Sequence, residues 1–121
     1  MRLFHIIAPD AWADAVAKGE YRPSSLDTEG FVHFSFAGQV AATANLRYGD
    51  EADLVVVEVD PGAVAAELRV EDSYGSGTEF PHLYGAIPTA AARAVVPLTR
   101  DAHGDWTFTP GAASAAASPD R

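Results

Sequence analysis

The spacing of hydrophobic and polar positions predicts a domain that opens with a strand and then a helix. Residues 3–7 form a short apolar segment interrupted by His5, which is typical of an inner strand. A helix is expected over 9–18, because Pro9 suits a first helical turn and Gly19 suits a helix end. The chain therefore begins as strand followed by helix.

The middle of the chain predicts a second strand and a second helix. Residues 31–35 alternate between the two faces of a strand, so His33 and Ser35 should point the same way. Apolar spacing over 38–48 predicts a helix that Gly49 would close.

The rest of the chain is dominated by strand patterns. The expected elements are a central strand over 54–59, a strand over 68–71, one or two helical turns over 89–93, and a strand over 94–98 that pairs with 106–109. These patterns predict one α+β domain over 1–110, with two main helices and strands in the majority. The Ala/Ser/Pro-rich stretch over 111–121 predicts a disordered tail.

Composition narrows the classes of function. The chain has 121 residues, of which 48% are hydrophobic, enough for one core. A net charge of -9 makes nucleic acid an unexpected partner, because phosphate chains would be repelled. The absence of cysteine excludes thiolate ligands and nucleophiles. No apolar run is long enough to span a bilayer and no signal peptide is evident, so we expect a cytoplasmic protein without a membrane partner.

Three histidines stand in apolar or aromatic segments, which makes them the first candidates for chemistry. They are His5, His33 and His82. Imidazole is suited to proton transfer and ligand binding near neutral pH, although a core histidine with both nitrogens hydrogen-bonded would give the same pattern. Glu71 ends a strand just before a glycine-containing loop, a position from which functional groups are often presented.

Several short motifs together resemble an uncharacterised bacterial family, the domain of unknown function nine-five-two. The matching features are His5 in the first strand, Trp12 in the first helix, the segment GFVHFS over 30–35, Glu71 at a strand end, and FPHLYG over 80–85. The resemblance covers roughly residues 1–110. That family is similar in fold to the ADP-ribosyltransferases, which implies a split mixed sheet that grips NAD.

The same resemblance implies roles for individual residues in cleaving the nicotinamide–ribose bond of NAD or a related nucleotide. Because this cleavage develops oxocarbenium character, a carboxylate near the ribose would stabilise the charge. The implied catalytic residues are Glu71, His5 and His82, and the implied ligand-binding residues are His33, Ser35, Tyr84 and Arg22. Arg22 is the one nearby loop cation, and no clear cationic anchor for the pyrophosphate is evident.

Two other classes of function stay open. One is a divalent-metal enzyme in which His5, His33 and His82, with or without Glu71, hold the ion, although their spacing gives no close ligand signature. The other is a non-catalytic module that binds a small metabolite or nucleotide in the same cleft. The residues alone leave the substrate, the oligomeric state and the presence of catalysis undetermined.

Overall fold

Two three-stranded antiparallel sheets dominate the computed structural model, which describes residues 1–111. The strands are β1 (Leu3–Ile7), β2 (Glu20–Tyr21), β3 (Val32–His33), β4 (Val55–Val59), β5 (Glu67–Glu71), β6 (Phe80–Tyr84), β7 (Ile87–Pro88), β8 (Ala92–Pro97), β9 (Thr99–Arg100) and β10 (Trp106–Thr107). The helices are α1 (Pro9–Lys18), α2 (Ser25–Thr28) and α3 (Val40–Arg47), with single 3-10 turns at Ala37–Gln39, Pro61–Ala63 and Thr89–Ala91. The result is a small α+β domain, as the sequence predicted.

The first sheet has the order β1-β4-β8 and carries apolar side chains on both faces. Its alternation places Leu3 and Val57 in one buried cluster, and Phe4 and Val56 in another. The first cluster includes residues of the second sheet, and the second includes buried residues of α3. The run over 54–59 is therefore central, as predicted, because β4 has a strand on each side.

The second sheet has the order β3-β6-β5, and it meets the first sheet at one point. Just after β3, Ser35 pairs with Phe4 of β1 through two backbone hydrogen bonds of 2.7 and 3.0 Å. The segment after β3 thus leaves β6 and joins β1. This change of partner creates the junction beside which the candidate site lies.

The first helix is confirmed with the predicted bounds. Gly19 ends it in the left-handed conformation, with φ of 82°, and its N–H bonds to the carbonyls of Ala15 and Val16. The second predicted helix is also present, although its first turn is a 3-10 turn and the α-helix starts at Val40.

Three expectations are corrected. All strand pairs within residues 1–111 are antiparallel, so the expected mixture of parallel and antiparallel pairing is absent from this part of the chain. The last strand, β10, pairs with Thr99–Arg100 rather than with 94–98, because the tight turn 101–105 folds β10 directly back onto β9. Regular pairing in the segment 31–35 is confined to Val32–His33. The predicted tail lies outside the described residues, except for Gly111.

Candidate functional site

A cleft opens where the two sheets part, between β1, β3, β6 and α3. It encloses about 540 Å³, including its open mouth. The lining residues come from five separate parts of the chain: His5, Ile6, His33, Phe34, Ser35, Thr43, Arg47, Tyr48, Tyr74, Phe80 and His82. The three histidines singled out from the sequence therefore line one cleft, together with Ser35.

The wall formed by β3 and β6 follows from strand alternation. His33 and His82 are direct cross-strand partners, so their side chains project from the same face of the sheet. Their rings meet edge to face, with centroids 5.3 Å apart. Leu83 and Val32, on the opposite face, are buried in the core. One face of this sheet thus packs the domain and the other presents the imidazoles.

Glu71 and His82 form the first polar group on this wall. Glu71 Oε2 lies 3.0 Å from His82 Nδ1 and also accepts a hydrogen bond from the hydroxyl of Tyr84. The hydrogen bond from Tyr84, and then that from His82, hold the pKa of Glu71 below its usual range. An ionised carboxylate only accepts, so Nδ1 carries the proton that His82 donates to Glu71.

The other nitrogen of the His82 ring has no hydrogen-bond partner in the described part of the chain. His82 is 1% exposed, and its Nε2 is a buried atom without a partner within residues 1–111. The ring is held in place by Phe31, which stacks on it at a centroid distance of 3.9 Å. With the proton on Nδ1, a neutral His82 has a lone pair on Nε2. Buried polar atoms are rarely left unpaired, and such an atom calls for an explanation.

A second polar group lies beside the first and contains His33. Its Nε2 lies 3.0 Å from Oε2 of Glu29, and the Tyr74 hydroxyl donates to the other Glu29 oxygen over 2.6 Å. These two contacts, led by that of Tyr74, lower the pKa of Glu29. Partial burial, with the bond to Glu29, raises the pKa of Tyr74 to about 12. Two histidines, each bonded to a glutamate, therefore stand side by side.

His5 differs from His82 because both of its ring nitrogens are hydrogen-bonded. Nδ1 lies 2.6 Å from the His33 carbonyl and must donate to it, and Nε2 accepts from the Tyr21 hydroxyl at 2.9 Å. Burial lowers the pKa of His5 to about 4, so the ring is neutral near pH 7. Burial, and then the neighbouring Tyr48, raise the pKa of Tyr21 to about 12, which keeps its hydroxyl protonated as a donor. This is the arrangement of a structural histidine at a cleft wall.

The remaining predicted site residues divide into those near the cleft and those away from it. Ser35 is buried and lines the cleft. Tyr84 and Glu71 lie behind His82 and do not themselves line the cleft. Arg22 lies outside the lining, exposed, with its nearest acidic contact to Glu20 at 3.5 Å. Arg47 is the arginine that the structure places in the cleft.

The arrangement does not favour the metal-site interpretation. Within residues 1–111 no group of three or more His, Cys, Asp or Glu side chains is placed to hold a metal ion. The reason is visible in the bonding, since both nitrogens of His5 are engaged and His33 is turned toward Glu29. The three histidines share a cleft without converging on a common point.

Sequence reasoning missed several residues of this site. Glu29, Arg47 and Tyr74 lie in an apparent turn, at a helix end and in a loop, so nothing in their local pattern separates them from solvated residues. The alternation over 31–35 places Phe31 on the same strand face as His33, but its stacking on His82 depends on a neighbouring strand. The aromatic spacing of 80–84 is the one signal that could have linked Phe80, His82 and Tyr84 as a shared face.

A family model described as "Protein of unknown function (DUF952)" matches residues 6–95. The chain belongs to the DUF952 family. The matched span contains both glutamate–histidine pairs, and His5 lies one residue before it. This confirms the family resemblance drawn from the motifs, and no curated protein matches significantly.

Solved structures of CC0527 from Caulobacter crescentus are similar to this DUF952 member. The crystal structure is 28% identical, with a TM-score of 0.77, and the alignment covers 88% of this chain and 94% of that one. The solution NMR structure of CC0527 is 30% identical, with a TM-score of 0.74, covering 86% and 90% of the two chains. In residues 1–111 no helix is both long and apolar enough to cross a membrane.

Proposed function

We propose that this DUF952 protein is an enzyme that acts on a small nucleotide, with NAD as the candidate substrate and His82 as the proton acceptor. The observation that carries the proposal is the state of the His82 ring. Nδ1 is fixed on Glu71, while the buried Nε2 has no partner within residues 1–111. An imidazole oriented by a carboxylate in this way is suited to act as a general base.

The proposed reaction is hydrolysis of the nicotinamide–ribose bond. His82 Nε2 takes a proton from water as the water oxygen bonds to C1′ of the ribose. The bond between C1′ and the nicotinamide nitrogen breaks, and its electron pair stays with the nicotinamide ring. The products are nicotinamide, ADP-ribose and a proton, which His82 later releases. In a transferase, the hydroxyl group of an acceptor would replace the water.

Glu71 acts in this proposal as a positioning residue. Its carboxylate reaches the cleft through His82, because Glu71 itself is not part of the lining. The ionised carboxylate keeps the Nδ1 proton in place and stabilises the imidazolium formed when Nε2 takes up a proton. Tyr84 donates to the same carboxylate oxygen and holds it against His82. This differs from the direct contact with ribose that the family resemblance implied for Glu71.

The composition of the cleft supports a nucleotide as the ligand class. Tyr48, Tyr74 and Phe80 provide flat aromatic surfaces for a ring, and Ser35 and Thr43 provide hydroxyl groups. The resemblance of the family to the ADP-ribosyltransferases supports NAD as the first candidate. We propose the cytoplasm, where NAD is available, as the place of action.

Release of nicotinamide tests the proposal directly. The purified protein is incubated with NAD, and nicotinamide is quantified by chromatography. We expect the rate to fall by about 100-fold or more in His82→Gln, which is the usual contribution of a general base. The variant His103→Gln is the matched control, because His103 is exposed in the turn 101–105 and should leave the rate unchanged. Thermal unfolding of each variant verifies that it folds.

The outcomes separate catalysis from binding. Glu71→Gln should lower the rate less than His82→Gln and should displace its pH profile, because the proton on Nδ1 is then less firmly held. Equal rates in the wild type and His82→Gln, or no nicotinamide at saturating NAD, would refute the proposed reaction. Saturable binding of ADP-ribose without nicotinamide release would instead support a non-catalytic module. That second candidate is favoured by the burial of Nε2, because this atom has almost no surface exposed to water.

A further inference from the structure

Arg47 lies on the cleft wall and forms no ion pair with a carboxylate within residues 1–111. The other arginines of this part of the chain are all engaged. They are Arg2 with Glu58, Arg22 with Glu20, Arg69 with Glu67, Arg93 with Asp60, and Arg100 with the carbonyls of Gly49, Glu51 and Gly104. In a chain with a net charge of -9, an arginine without an acidic partner stands out.

Helix geometry brings this cation to the cleft with a hydroxyl beside it. Thr43 and Arg47 are four residues apart on α3, so they lie on the same helix face, and both line the cleft. The guanidinium of Arg47 lies 5.5 Å from the centroid of the Tyr74 ring, which is a cation–π distance. A basic residue in the last helical turn also complements the helix dipole, but that effect does not account for its place on the cleft wall.

The distribution of charge around the cleft favours Arg47 as the contact for an anionic ligand. Glu29 and Glu71 are the acids next to the cleft histidines, and each is already hydrogen-bonded to a histidine and a tyrosine. An anionic ligand would meet repulsion over most of this protein's surface. Arg47 offers it a guanidinium, whose planar donors bind phosphate oxygens in pairs.

We infer that Arg47, with the Thr43 hydroxyl, forms a subsite for the phosphate groups of the ligand. The inference rests on the proposed function, because it assigns a part of the same nucleotide to this end of the cleft. It replaces Arg22, the anchor considered from the sequence, which lies outside the lining. The chemical class of the ligand is then a phosphate or pyrophosphate ester that also carries a flat ring.

Binding measurements test the subsite without any need for turnover. Amide resonances of the 15N-labelled protein are followed during titration with AMP, with adenosine and with inorganic pyrophosphate. We expect AMP to bind about 10-fold or more tightly than adenosine, as charged hydrogen bonds to one phosphate would give. In Arg47→Gln this difference should vanish, while adenosine binding stays unchanged. Arg47→Lys keeps the charge without the planar donors and should retain part of the difference.

A variant of a second arginine, outside the cleft, serves as the control. Arg22→Gln removes an exposed arginine outside the cleft and should leave AMP binding unchanged. The inference is overturned if Arg47→Gln retains the preference for AMP, if Arg22→Gln removes that preference, or if pyrophosphate moves no resonance of α3. A phosphate preference that depends on Arg47, found together with an inactive wild type, would refute the hydrolysis reaction and leave the subsite standing.

Discussion

Replacing His5 with glutamine is expected to flatten the dependence of stability on pH between pH 7 and pH 5. In the folded protein burial lowers the pKa of His5 to about 4, from 6.5 when exposed. The unfolded chain therefore binds a proton below pH 6.5 that the folded chain refuses until about pH 4. The contribution of neutral His5 to stability is present above pH 6.5 and is lost as the pH falls.

The magnitude follows from the size of the shift. Each pKa unit corresponds to about 1.4 kcal/mol. The free energy of unfolding of the wild type should therefore fall by about 2 kcal/mol between pH 7 and pH 5 through His5 alone, and by about 3 kcal/mol by pH 4. Glutamine can still donate to the His33 carbonyl and accept from Tyr21, so the variant keeps the bonding pattern without the titration.

Urea unfolding followed by circular dichroism at a series of pH values measures this effect. All other groups are the same in both proteins, so the difference between the wild-type and His5→Gln curves isolates His5. A difference that grows as the pH falls toward 5 supports the assignment. Parallel curves would show that His5 is not held neutral by burial and would refute the reasoning.

Two further predictions concern stability. Gly85→Ala should lower the free energy of unfolding by about 1–3 kcal/mol, because the added Cβ would lie 2.9 Å from the Ala66 Cβ. Gly38→Ala is the control and should lower it little, because nothing lies within 4 Å of the added Cβ. Equal urea midpoints for the two variants would contradict the clash. Arg2→Met should cost about 3 kcal/mol, because it leaves the buried carboxylate of Glu58 without its two 2.9 Å hydrogen bonds. Adding Glu58→Leu should recover part of that loss, and a double variant less stable than Arg2→Met would refute the explanation.

The first strand and first helix could be predicted to the residue because their signals are local. A short apolar run interrupted by His5 marks 3–7, and Pro9 and Gly19 mark the two ends of the helix. The pairing of β10 could not be predicted in the same way. Its partner is set by where the turn 101–105 places it, on Thr99–Arg100, and the apolar pattern of 94–98 and 106–109 carries no record of that placement.

The residues of the candidate site also differ in whether a local pattern in the sequence reveals them. His33 and His82 were recognised because imidazoles in apolar strands are conspicuous in a sequence. Their partner Glu71 was recognised as a strand end, but its place behind His82 depends on the β5–β6 register. Arg47 and Tyr74 escaped notice because residues exposed at a helix end or in a loop carry no periodic signal; only the packing of α3 and that loop brings them to the cleft.

The cleft and the joint between the sheets, where Ser35 pairs with Phe4, depend on the same short segment. Residues 32–33 pair with β6, whereas Ser35 pairs with β1, so the two sheets diverge next to this change of partner. At that point the His33 carbonyl accepts the hydrogen bond from His5, which ties β1 to the cleft wall. A substitution at His5 that removes this hydrogen bond should therefore weaken folding and ligand binding together. A substitution at His82 removes the unpaired Nε2 without touching this joint, so its effect should fall mainly on turnover.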